Sequence, residues 1–144
     1  MQIPLYFLNK DELSHIEYTI ELYQLISKEY PNGISDDTRL KIMNKLNKRE
    51  CLNDCELINL SSTMTMVIIC AEVMGNPYEV EILNTKYALL KLLSTHIDEI
   101  AEDVIADNYS LFTHIYLTLS SSIDLLDINE QEKNTYNFLK LLQL

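Results

Sequence analysis

Cys51 and Cys55 stand four residues apart, with Asp54 and Glu56 beside them. Four-residue spacing puts two side chains on one face of a helix. Thiolates and carboxylates together are donors for a metal ion. Zinc, however, takes four ligands, usually from paired Cys or His segments. No histidine is near in sequence, and Cys70 lies inside an apolar run. The spacing therefore assigns no metal, and reads the three thiols as small core hydrophobes. They cannot all pair with one another, which points to a reducing, cytoplasmic setting.

Other chemistry is sparse. His15, His96 and His114 are isolated, and none belongs to an H-E-x-x-H arrangement. A Cys–His nucleophile pair would have to be assembled by the fold. Ser61-Ser62 and Ser120 to Ser122 lack a nucleophile-elbow pattern, and two glycines are too few for a phosphate-cradling loop. No catalytic residue and no cofactor is assigned, and the chain is not read as an enzyme.

The charge is more informative. The net of −11 opposes nucleic acid and anionic membranes alike. Residues 1–50 carry eight acids and seven bases, whereas residues 51–144 carry fourteen acids and four bases. Between Lys91 and Lys133 there is no Lys or Arg. Within that interval Ile97, Ile100, Ala101 and Val104 recur at helical spacing. Asp98, Glu99, Glu102 and Asp103 then fall on the opposite side, with Asp107 beyond. Like charges four apart repel by a few tenths of a kcal/mol per pair. These five acids are the expected docking surface for a basic protein partner; the competing reading is a solvated face with no partner. The opposite cluster is Arg39, Lys41, Lys45, Lys48 and Arg49, expected to pair with acids of the same molecule or to keep that face soluble.

The elements that must position these residues are helical. Gly and Pro are scarce, and Leu, Ile, Glu and Lys favour helix. Residues 1–8 lack helical phasing, and read as an extended arm or a short edge strand. Asn9 with Glu12, Asn76 with Glu79 and Asn129 with Glu132 are three Asn-x-x-Glu capping boxes, each opening a helix. A second helix is expected after Ser35, its apolar face made by Leu40, Met43 and Leu46. A third spans about Asn53 to Met74, apolar all round at Met64 to Ala71, and therefore central, with Ile68 and Ile69 both buried. A fourth carries Val80, Leu83, Tyr87, Leu90 and Leu93 in phase. Ser94 or Thr95 starts a fifth, through Ala106; a sixth covers Tyr109 to Leu119. No apolar run reaches the ~18 residues a membrane span needs. Residues 1–144 therefore read as one all-α domain, a bundle or a short stack of about seven helices.

The helical run Tyr78 to Ala106, with its acidic face Asp98 to Asp107, resembles the small acidic helical immunity proteins of bacterial toxin systems, some of which have HEAT-like paired helices. That resemblance implies a cytoplasmic inhibitor that neutralises a basic cognate toxin, often a nuclease, by covering its active site. The apolar segment Met64 to Ala71 also resembles the central helix of viral Bcl-2-like proteins. The alternative is therefore a protein that binds host apoptotic or signalling proteins. The helix at 129–142 extends past the usual end of that fold, and this places it second.

Overall fold

The computed structural model describes residues 8–26, 36–73, 79–97 and 99–143. Among them the chain forms α1 (Lys10–Ile26), α2 (Asp36–Asn47), α3 (Asp54–Val73), α4 (Glu79–His96), α5 (Glu102–Asp107), α6 (Tyr109–Ser120) and α7 (Glu130–Leu141). A single 3₁₀ turn sits at Ile123–Leu125, and no strand is present among the described residues. The fold is an all-α single domain. Of the expected arm at residues 1–8 only Leu8 is described, half-buried against the core; the stop at Pro31 to Gly33 and the Asn76 cap lie outside the described residues.

The caps explain where the helices begin. Asn9 Oδ1 accepts from Glu12 N at 2.9 Å, and Glu12 Oε1 accepts from Asn9 N at 2.7 Å. Asn129 and Glu132 repeat the exchange at the start of α7. Asn53 and Glu56 make a further reciprocal pair at the start of α3, at 2.8 and 3.0 Å, from the same Asn-x-x-Glu spacing. Each box satisfies two backbone donors that a helix start would otherwise leave unpaired.

The central helix is α4. Ala88, Leu89, Leu90, Leu92 and Leu93 are all fully buried. The helix packs against α1, α3, α6 and α7, so its neighbours lie around it rather than on two sides. This is a bundle and not a stack of helix pairs. Burying a Leu side chain stabilises by roughly 1.5–3 kcal/mol, so this one segment contributes more than any cap.

The expected centre, α3, is central on one face only. Leu57, Leu60, Met64 and Ile68 are buried in the core, but Met66 is 48% and Val73 82% exposed. Ile69 is half-buried, against the expectation of full burial. The run is apolar all round because its outer face also carries Met and Val, not because every face packs. At 20 residues α3 is long and apolar enough to cross a membrane by composition, which apolar run length alone had not shown. Leu40 and Val80, expected inside, are 56% and 69% exposed. On α2 the buried face is Ile42, Met43 and Leu46, so the stripe is rotated by part of a turn.

Two lysines of α4 are paired, Lys86 buried and Lys91 half-buried. Lys86 Nζ donates to Ser122 Oγ at 2.7 Å and Ser121 Oγ at 3.2 Å, and meets Glu72 at 2.6 Å. Its three N–H groups thus join α4, the end of α3 and the turn after α6. Lys91 Nζ meets Glu12 Oε2 at 2.5 Å and lies 4.8 Å from the ring centroid of Tyr87.

Candidate functional site

The acidic segment is not one helix. After His96 the chain leaves α4 through a tight turn, in which Glu99 N donates to His96 O at 2.9 Å. Helix resumes only at Glu102. Ile100 is buried, and Ile97 and Val104 are half-buried against the core, as expected. Ala101, expected on the same stripe, is exposed and serves as the N-cap of α5. The continuous amphipathic helix from Ser94 to Ala106 is therefore replaced by a turn and a six-residue helix.

That correction changes how the acids are displayed. Asp98 lies outside the described residues. Glu99 projects from the turn, Glu102 and Asp103 occupy the first turn of α5, and Asp107 is its last residue; all four are exposed. Among the described residues none of the four joins an ion pair. Glu102 and Asp103 suit the positive end of α5, whereas Asp107 closes that helix one residue before Asn108, the N-cap of α6.

The loop between α2 and α3 buttresses this turn. Leu52 N donates to His96 Nε2 at 2.8 Å, and Cys51 contacts Glu99. The fold thus brings a cysteine, a histidine and a glutamate together, although they are far apart in sequence. They do not form an activated nucleophile. Nε2 of His96 is already an acceptor, which places its proton on Nδ1, near Leu92 O at 3.1 Å and the Thr95 hydroxyl. Neither ring nitrogen is left to take a proton from Cys51. Burial, the Glu99 charge and a hydrogen bond to Glu99 push the Cys51 thiol up, toward the protonated form. Among the described residues no three His, Cys, Asp or Glu side chains gather as metal ligands.

The basic cluster on α2 and the turn after it finds acids within the molecule. Arg39 meets Glu21 at 3.8 Å, and Lys45 meets Glu56 at 2.6 Å. No described ion pair joins α2 to Glu99, Glu102, Asp103 or Asp107. A concavity of about 560 Å³ lies between α1 and α4, with Asp11, Glu12, Glu81, Tyr18 and Tyr87 in its lining. Its walls are acidic and aromatic, and Lys91 already engages two of these groups, Glu12 and Tyr87. Sequence spacing could not reveal it, because its two walls come from helices about seventy residues apart.

Compared with known protein families, with curated proteins and with solved structures, the chain has no match.

Proposed function

We propose that the protein is a binding module for a basic protein partner, acting as an inhibitor of the toxin-immunity kind. Glu99, Glu102, Asp103 and Asp107 form much of the contact surface, and Asp98 belongs to the same segment. The observation that supports this reading is the set of four exposed acids, gathered within nine residues, that join no ion pair among the described residues. Elsewhere, Glu12, Glu56 and Glu72 each meet a lysine. Unmatched exposed acids raise the association rate with a cationic surface, and salt screens that attraction.

The test is the association rate against ionic strength, with a partner isolated by pull-down from cells carrying the native gene. Glu99→Lys with Asp103→Lys is expected to slow association by roughly ten-fold or more at low salt. A control with the same charge change at exposed positions of α1 and α4, Glu17→Lys with Glu81→Lys, separates a local surface from net charge. Equal slowing by both variants, or none by the first, overturns the assignment of this surface.

A further inference from the structure

We propose that the cleft between α2 and the start of α3 binds inorganic hydrogen phosphate. The cleft has a volume of about 600 Å³, and its lining includes Lys41, Lys45, Lys48, Glu50, Glu56 and Asn44. Its lining carries three lysines against two glutamates, in a chain whose net charge is −11. This site is independent of the acidic surface assigned above.

The geometry divides the three lysines. Lys45 is held by Glu56 at 2.6 Å, whereas Lys41 and Lys48 are exposed and enter no described ion pair, although the Lys41 charge also reaches Glu56. They supply two ammonium groups for an anion, and Asn44 adds an amide donor. The end of α2 places Lys48 here. Arg49 takes a left-handed conformation, with φ of 58°. Glu50 N then bonds to Lys45 O at 2.8 Å, and Arg49 N to Leu46 O at 3.1 Å. This is the Schellman closure, in which glycine normally occupies the position of Arg49. A side chain there costs on the order of 1 kcal/mol. The closure brings Lys48 and Glu50, on either side of the strained residue, into one cleft.

The two carboxylates define which anion fits. Both hydrogen bonds that Glu56 accepts fall on Oε1, from Lys45 Nζ and Asn53 N. Glu56 Oε2 and the Glu50 carboxylate remain as acceptors inside a basic cleft. An anion without a proton, such as sulfate, would be repelled by them. Hydrogen phosphate keeps a P–OH group at neutral pH, and so donates to a carboxylate while its other oxygens accept from lysine. A phosphate monoester above its second pKa, near 6, has lost that proton. The mixed lining therefore selects the inorganic ion over both. The negative field of the rest of the molecule disfavours anions without such a donor.

The experiment is calorimetric titration of the full chain at pH 7.5 and constant ionic strength, using inorganic phosphate, sulfate and methyl phosphate. Phosphate is expected to bind roughly ten-fold more tightly than either other anion, the equivalent of one hydrogen bond gained and one repulsion avoided. Lys41→Ala with Lys48→Ala should abolish binding, and Glu50→Gln should remove the preference for phosphate over sulfate. These positions are at the surface, and an unchanged melting temperature without ligand confirms the fold. Equal affinity for phosphate and sulfate in the parent, or undiminished phosphate binding in the double-lysine variant, overturns the proposal.

Discussion

The backbone N–H of Leu52 donates to Nε2 of His96 at 2.8 Å, and this bond joins the loop after α2 to the last turn of α4. The imidazole is buried and must be neutral to accept it. Burial holds the His96 pKa below its ordinary 6.5, against the raising influence of the Leu92 carbonyl, Glu99 and Asp54.

That displacement has a definite sign. Below pH of about 6.5 the unfolded chain takes a proton that the folded chain refuses. Stability from this group is therefore full above that pH, and is lost as pH falls through the interval down to the folded-state value. Urea midpoints between pH 7.5 and 5 should decline in the parent. His96→Gln, whose side-chain oxygen can replace Nε2, should cost about 1 kcal/mol at pH 7.5 and flatten this part of the decline. A parallel decline in both would show that His96 contributes nothing to the pH dependence.

The buried Lys86 pairs with a carboxylate that is itself well exposed, with side chains 3% and 40% accessible respectively. The two partners should therefore not be equivalent. Lys86→Met leaves Glu72 free to meet water, and should cost about 1–2 kcal/mol. Glu72→Ala leaves the ammonium buried with only two hydroxyl groups, and should cost about 3 kcal/mol. Chemical denaturation of the two variants checks the order, and a larger loss in Lys86→Met would contradict it.

Opposite faces of α3 make a third comparison. Ile68 is 1% exposed and Met66 48%. Ile68→Asp places a charge in the core and should unfold the domain, at a cost of several kcal/mol. Met66→Asp should change stability by less than about 1 kcal/mol. Circular dichroism melts separate them, and similar melts would mean that α3 is not packed on the side described.

Much of the helical framework was legible in the sequence, because its signals are local. Asn9 with Glu12 and Asn129 with Glu132 announced their helices by residue type and spacing. Asn53 with Glu56 carried the same signal, but was read only as an approximate start. The break between His96 and Glu102 was illegible, since no Gly or Pro marks it. Contacts from Cys51 and Leu52, more than forty residues earlier, accompany the turn there. Leu40 and Val80 were misplaced because phasing along one helix does not say which neighbour it will meet. The same limit hid Lys86 and Lys91, whose lysine type predicts exposure and whose partners come from other helices.

Glu12, Lys91, Tyr87 and Glu132 meet at one place on α4, and this couples the two ends of the chain. Glu12 and Glu132 are the glutamates of the boxes that open α1 and α7, and both are buried. Lys91 meets the first, and Tyr87, under the same ammonium, hydrogen-bonds to the second. The first and last helices thus share an anchoring point on α4, and their N-terminal turns are coupled through it. Local opening of either helix should accordingly loosen the other, and amide exchange at the two N-terminal turns should rise and fall together.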